Sequence, residues 1–159
     1  MPKATQGVDL SVHVALNLKA LLRQQTTNAA PVVSPSSPGR KRMSKPLVEQ
    51  VTECARRLLE DQKSWTQYAI ARTRNNRLCE PGDAKAARFC AYGAILRAAH
   101  DVAGHPDRAQ RLADQAAMLI MRRDNAYSAF EELIAINDGH RPTARKAVLY
   151  LFDRALAKV

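Results

Sequence analysis

Cysteine is scarce in this sequence, and its spacing excludes two common ways of stabilising a small protein. The 159 residues include three cysteines, Cys54, Cys79 and Cys90, and no two of them lie within the short spacing of a zinc site. Their odd number and irregular positions also argue against a disulfide framework and favour a reducing compartment. We therefore expect a cytoplasmic protein without a metal, in which Cys90 is a small buried hydrophobic residue.

Long apolar runs are also missing. No stretch approaches the roughly 18 consecutive apolar residues that a membrane-spanning helix needs. The most apolar part of the N-terminal region, 8–22, is interrupted by Asp9, His13, Asn17 and Lys19, and no small-residue cleavage site follows it closely. The sequence therefore predicts neither a membrane span nor a secretory signal peptide.

The residue patterns that usually accompany catalysis are absent as well. There is no glycine-rich phosphate-binding loop, and the paired carboxylates are sequence neighbours, which do not share a helix face. Cys79 stands beside Glu80, which raises the pKa of a thiol and makes it a poor nucleophile. We predict no catalytic residue and no cofactor, and we favour a protein that is not an enzyme.

The composition changes abruptly at Met43. Residues 1–42 form a leader whose last part, about 28–45, is rich in proline, serine and basic residues, as flexible linkers are. Residues 43–159 form a domain long enough to bury one hydrophobic core. Met43 is itself compatible with a start of translation, so Met1 and Met43 both stay open as the first residue.

An amphipathic segment lies within the leader at about 8–25. Leu10, Val14, Leu18 and Leu21 recur at helical spacing, and strong helix formers after residue 15 favour a helix over a strand. A tethered apolar stripe has to be buried, so we expect it to dock on a protein partner or on a second copy of the chain. It lacks a dense basic face, which disfavours a membrane surface.

Positive charge dominates, and most of the excess lies in the leader. The formal net charge is +10, and residues 1–45 hold seven Lys or Arg against one acid, Asp9. A basic arm attracts polyanions without sequence specificity, which makes nucleic acid the alternative partner to a merely solubilising tail. The predicted contact residues are Arg40, Lys41, Arg42, Lys45, Arg122, Arg123, Arg141, Arg145 and Lys146.

The domain shows helical periodicity throughout and predicts an all-α, compact bundle of five to six short helices. The expected helices are Pro46 to about Gln62, a short one capped by Ser64 with Trp65 and Tyr68, one from the cap Asp83 to Gly104, one opening at Pro106, one over about 127–136, and a last one capped by Thr143. Residues 73–82 are a loop by composition. Gly93, inside the most apolar helix, indicates a close approach between helices.

Three short segments resemble a known family. Trp65-Thr66-Gln67, residues 87–94 and Ile136-Asn137-Asp138-Gly139 follow the order and spacing of small bacterial and phage proteins known only as a domain of unknown function. The resemblance covers about Val48 to Leu156 and departs from the family's pattern at Ile136, where an aromatic residue is usual. It implies a helical fold in a phage or mobile-element setting, without an activity or catalytic residues.

The turn after residue 136 is the best candidate for a binding site. Asn137, Asp138 and His140 are polar residues between two apolar helices, and a ligand site here would also use Trp65 and Gln67. We favour the structural alternative, in which Asn137 and Asp138 hydrogen-bond the turn, Trp65 anchors the core and a glycine at 139 adopts a positive φ.

Three functional hypotheses follow from these features. The leading one is a non-enzymatic interaction module, an accessory or structural component of a phage-like or other multi-subunit assembly. The alternative is a nucleic-acid-binding protein that uses the basic leader and the arginines of the domain. A further alternative is a small ligand-binding or enzymatic domain with its site at the Asn137-Asp138 turn.

Overall fold

The structure is a computed structural model that describes residues 45–158. The predicted leader 1–42, with its amphipathic segment 8–25 and the basic residues Arg40, Lys41 and Arg42, lies outside the described residues. Within them the chain forms five α-helices and one small antiparallel sheet, which confirms the predicted helical domain. The elements are α1 (Leu47–Glu60), a 3-10 turn (Gln62–Ser64), β1 (Ala71–Thr73), β2 (Ala86–Phe89), α2 (Ala91–Ala103), α3 (Pro106–Met121), α4 (Ala126–Asn137) and α5 (Arg141–Leu156).

Helix α2 is the central element of the core. All residues from Ala91 to Leu96 are buried, because α1, α3 and α4 pack around this helix. Helix α1 faces the core with Val51, Ala55 and Leu59, which recur every four residues and are completely buried. The loop between α2 and α3 begins and ends where the sequence predicts. Gly104 ends α2 in the left-handed conformation at φ 68°, and Pro106 is the first residue of α3.

The predicted start of the most apolar helix at Asp83 is wrong. Residues 86–89 form β2 and pair with β1, and the helix begins only at Ala91. Asp83 caps a turn instead, since its carboxylate accepts a hydrogen bond from Lys85 N at 2.8 Å. The N-cap of α2 is Cys90, whose sulfur accepts from Gly93 N at 3.3 Å. Strand pairing with a distant segment therefore overrides the helix propensity of the two alanines in β2.

The short helix predicted after Ser64 is also wrong. A single 3-10 turn ends at Ser64, and an extended segment follows, in which Thr66 N donates to the Phe89 carbonyl at 3.0 Å. This segment explains Gly93. A Cβ atom there would lie 1.9 Å from the Ile70 carbonyl oxygen, so α2 closely approaches this backbone rather than another helix.

The last helix begins earlier than expected. Helix α5 starts at Arg141, with His140 as its N-cap residue, so Thr143 is not the cap. The Thr143 hydroxyl instead donates to the His140 carbonyl at 3.2 Å. Pro142 in the first turn fits this earlier start, because the first turn of a helix does not need the proline's missing N–H.

Candidate functional site

Asn137 ends α4 and connects three separate segments of the chain. Its side chain is completely buried, and Oδ1 accepts hydrogen bonds from Trp65 Nε1 at 2.9 Å and Ala91 N at 3.0 Å. Nδ2 donates to the Thr66 carbonyl at 3.1 Å and to Asp138 Oδ1 at 2.8 Å. Both acceptor sites and both amide protons of Asn137 are therefore used inside the protein.

Gln67 and Asp138 extend this arrangement. Gln67 Nε2 donates to the carbonyls of Asn137 at 2.8 Å and Gly139 at 2.9 Å, at the end of α4 where carbonyls lack helical partners. Asp138 holds Tyr68 at two points: Oδ1 accepts from Tyr68 N at 2.9 Å, and the Asp138 carbonyl accepts from the Tyr68 hydroxyl at 3.1 Å. We name this group the Asn137 bracket; it consists of Trp65, Gln67, Tyr68, Asn137 and Asp138.

The bracket brings together four of the five residues predicted as a ligand site, and it uses their polar atoms to fix the fold. One detail of the structural alternative is wrong, because Gly139 does not have a positive φ; in this region that conformation belongs to Tyr68, at φ 57°. The fifth predicted residue, His140, is exposed at the start of α5. Ligand binding by these five residues stays a prediction.

The segments that carry the family resemblance meet at this bracket, since Trp65, Ala91 and Asn137 are joined by direct hydrogen bonds. The model of a family of unknown function, DUF6197, matches residues 43–158. The chain belongs to this family. The match confirms the predicted membership of an uncharacterised family. Comparison with curated proteins and with solved structures gives no match.

A cleft of about 580 Å³ opens beside the bracket of this DUF6197 domain. Its lining combines aromatic, amide and basic side chains: Gln62, Trp65, Thr66, Gln67, Tyr68, Arg72, Asn76, Arg88 and Pro142. Tyr68 is 68% exposed although both its N–H and its hydroxyl are hydrogen-bonded. The volume lies within the range of about 300–1,000 Å³ that is usual for ligand pockets.

Two arginines face each other across the hairpin that borders this cleft. Arg72 of β1 pairs directly with Arg88 of β2, so both side chains project from the same face of the sheet. Like charges in directly opposite positions destabilise a sheet unless something neutralises them. Arg72 Nη1 donates to the Asn76 carbonyl at 3.1 Å, and neither guanidinium forms an ion pair with a carboxylate of residues 45–158.

A second cleft, of about 1,050 Å³, adjoins the other part of the hairpin, and Arg88 lines both. Asp61 is the only carboxylate in either lining. The basic residues that line the two clefts are Lys63, Arg72, Arg74, Arg77, Lys85 and Arg88, and we name them the cleft cations. Within the described part of the chain, none of them forms an ion pair.

The basic residues predicted to contact nucleic acid have different surroundings. Arg123 pairs with Glu132 at 2.8 Å, Lys45 pairs with Glu53, and Arg145 donates to the Leu59 carbonyl at 3.1 Å and to the Glu60 carbonyl. Arg122 closes α3 in the left-handed conformation, and Lys146 is exposed on α5. Arg141 is the first residue of α5. Nucleic-acid contact by these residues stays a prediction.

The cleft cations and Tyr68 are the residues that sequence reasoning missed. A signal for them was present, because Arg72, Arg74 and Arg77 follow one another at short spacing around Asn75 and Asn76, at the start of the predicted loop 73–82. Strand β2 was not recognised from the sequence. Assigning residues 86–89 to a helix removed Arg88 from the hairpin and from its position opposite Arg72.

Two of the three thiols, those of Cys79 and Cys90, have raised pKa values. Burial raises the pKa of the Cys90 thiol to about 12. Desolvation and, to a smaller extent, the negative charges of Asp83 and Glu80 raise the pKa of Cys79. Both thiols therefore stay protonated at neutral pH. Among residues 45–158, no three His, Cys, Asp or Glu side chains are grouped so as to hold a metal. In the same range, no helix has the length and apolarity to cross a membrane.

One partly buried polar network lies apart from the bracket, between α2 and α3. The Tyr92 hydroxyl donates to Asp114 Oδ1 at 2.9 Å, and Gln110 Nε2 donates to both partners. Burial raises the pKa of Asp114 above its ordinary value of 3.8. Burial and the neighbouring Asp114 also raise the pKa of Tyr92, so its hydroxyl stays protonated and donates.

Proposed function

We propose that this domain is a non-enzymatic nucleic-acid-binding module whose contact surface is formed by the cleft cations. The observation that supports this most directly is that six basic side chains line two adjoining clefts, whereas a single carboxylate, Asp61, is present in the lining of the second cleft. Phosphate backbones bind to such surfaces by replacing their counterions, a gain that ion-paired arginines do not offer. The basic leader adds a second electrostatic attraction to the phosphates, which does not depend on the nucleotide sequence.

The proposal is tested by reversing two charges inside and outside the clefts. Arg74→Glu/Arg77→Glu changes two exposed cleft cations, and Arg108→Glu/Arg111→Glu makes the same change in net charge on exposed residues of α3. Affinity for a fluorescein-labelled oligonucleotide is measured by anisotropy in the full-length chain between 50 and about 300 mM salt. The leader is present in both variants, so its contribution cancels.

We expect the cleft variant to lose at least about tenfold in affinity and to reduce the slope of log affinity against log salt by about 2. The α3 variant is expected to lose little. Equal losses in the two variants would show that only net charge matters, and would refute a defined contact surface. Absence of binding in the unchanged protein at 50 mM salt would refute the proposal entirely.

The amphipathic segment 8–25 supports a second candidate, an interaction module that docks on a protein partner or on another copy of the chain. In the full-length protein, Leu18→Glu/Leu21→Glu should lower the mass measured by light scattering if the stripe joins copies, whereas Gln24→Glu/Gln25→Glu should leave it unchanged. The three cysteines are all free, which supports the further proposal of a reducing, cytoplasmic compartment. A phage or bacterial setting rests on the family resemblance.

A further inference from the structure

Tyr68 is held in place at a cost to the backbone. Its φ of 57° is uncommon for any residue other than glycine, asparagine or aspartate, because the Cβ atom of an L-residue then crowds the following carbonyl oxygen. It persists because Asp138 binds both the N–H and the hydroxyl of Tyr68. Strained residues that their surroundings hold firmly in this way cluster at binding sites.

The contacts of Tyr68 leave its ring as the available part. The hydroxyl already donates to the Asp138 carbonyl at 3.1 Å, while 68% of the residue is exposed at the edge of the 580 Å³ cleft. An aromatic ring that is fixed before binding loses little side-chain freedom when a ligand arrives. Its face is suited to a flat partner, because aromatic rings prefer offset stacking or edge contacts with other π systems.

The same cleft offers a place for an anion. Arg72 and Arg88 are cross-strand neighbours, both line the cleft, and neither has a carboxylate partner within residues 45–158. An anion between them would remove the repulsion of the like charges. Guanidinium groups match the geometry of phosphate oxygens particularly well, since they donate two parallel hydrogen bonds.

We propose that this cleft is a nucleotide subsite for single-stranded nucleic acid, in which Tyr68 stacks on a base while Arg72 and Arg88 bind the adjoining phosphate. The inference rests on the proposed function and specifies its ligand. Bases in a duplex are stacked on each other and paired, so only an unpaired base can lie on Tyr68. Arg88 also lines the second cleft, which leads the strand on to the remaining cleft cations.

The test compares single- and double-stranded oligonucleotides on the full-length protein. Anisotropy is measured with a labelled 12-nucleotide oligothymidylate, a 12-nucleotide oligouridylate and a 12-base-pair DNA duplex. The variants are Tyr68→Gly, which removes the ring and is free of strain at φ 57°, and Tyr68→Trp, which keeps a stacking surface. The control is Tyr150→Ala, because Tyr150 is 65% exposed on α5 and lines neither cleft.

We expect the unchanged protein to prefer the single strands. Tyr68→Gly should lose about tenfold in affinity for them and little for the duplex, because only an unpaired base can stack on the ring that this variant removes. Tyr68→Trp should retain the affinity, and so should Tyr150→Ala. Urea unfolding of Tyr68→Gly shows whether the domain is intact, and a folded variant that binds all three probes like the unchanged protein overturns the inference.

The two proposals fail in different ways. If duplex and single strands bind equally and Tyr68→Gly has no effect, while Arg74→Glu/Arg77→Glu still abolishes salt-sensitive binding, the nucleotide subsite is wrong and the contact surface stands. If no oligonucleotide binds, both are wrong. A preference for oligouridylate over oligothymidylate, lost in Tyr68→Gly, supports the subsite and identifies RNA as the ligand; the reverse preference identifies DNA.

Discussion

The Asn137 bracket and the first cleft share the short segment 65–68, and the second cleft adjoins the first through Arg88. The polar groups of the bracket and those of the clefts differ in how many partners they have within the protein. In the bracket, the amide of Asn137 makes four hydrogen bonds within the protein. The linings of the clefts contain six cations and one carboxylate, Asp61, and the cations form no ion pair within residues 45–158. We therefore assign the proposed contact surface to the clefts, whose cations lack ion-pair partners, and a role in folding to the bracket, whose polar groups already have hydrogen-bond partners.

Removing the Asn137 side chain should have the largest effect on stability. Asn137→Ala leaves the Trp65 indole, the Ala91 amide and the Thr66 carbonyl without their partners, and each unsatisfied buried group costs roughly 1–3 kcal/mol. We expect a loss of about 4 kcal/mol in the free energy of unfolding, measured in urea.

The matched control is Asn75→Ala, at an exposed position in the second cleft, which should change stability by less than about 0.5 kcal/mol. Similar values for the two variants would remove the difference between bracket and cleft. The same outcome would leave the ligand-binding interpretation of Asn137 as the stronger one.

Adding one methyl group at Gly93 tests whether the segment before β1 is fixed on the core. The new Cβ of Gly93→Ala would lie 1.9 Å from the Ile70 carbonyl oxygen, so α2 and this segment must separate. We expect a loss of about 3 kcal/mol, as for other overpacked sites, measured by urea unfolding.

Gly82→Ala is the control for this change, since the nearest atoms there belong to His100 at 3.6 Å, an ordinary contact. It should be neutral or slightly stabilising. If Gly93→Ala is equally neutral, the segment is more mobile than its contacts indicate, and a preorganised Tyr68 is wrong.

Sequence reasoning found what is encoded locally and missed what depends on distant partners. The C-terminus of α2 and the N-terminus of α3 were predicted because Gly104 and Pro106 are local signals that need no tertiary contact. The position of β2 was not, since its alanines favour a helix and its partner strand lies more than ten residues away. The left-handed Tyr68 was equally hidden, because Asp138, seventy residues later, holds it.

Arg145 is a basic residue whose guanidinium already has hydrogen-bond acceptors within the protein. Its guanidinium binds the Leu59 and Glu60 carbonyls at the end of α1, which the helix itself leaves without partners. We expect Arg145→Ala to lower the free energy of unfolding by about 1.5 kcal/mol. Lys146→Ala, at the exposed neighbouring position, should have almost no effect in the same urea titration.

The smallest expected effect concerns Asp114, whose partners are present but whose charge is unfavourable. Burial raises its pKa in the folded protein, so the folded state holds the proton more tightly than the unfolded state does. This contribution to stability is complete below the ordinary pKa of 3.8 and is lost as pH rises through the raised value. Asp114→Asn keeps an acceptor for Tyr92 and Gln110, and should remove this decline.

The readout is the urea midpoint of the two proteins between pH 3.5 and pH 7. Asn at 114 should gain on Asp as pH rises from the lower limit. A constant difference across the range would mean that Asp114 titrates as an exposed carboxylate does.

The most direct test of the central claim measures binding and stability together in Arg88→Ala and Arg145→Ala. If the cleft cations serve a ligand and the partnered arginines serve the fold, the two variants behave in opposite ways. Arg88→Ala should lose about tenfold in affinity for the single-stranded oligonucleotide, with the free energy of unfolding unchanged or slightly higher as Arg72 loses a like-charged neighbour. Arg145→Ala should lose stability and keep its affinity. A loss of stability without a loss of binding in Arg88→Ala would contradict the account.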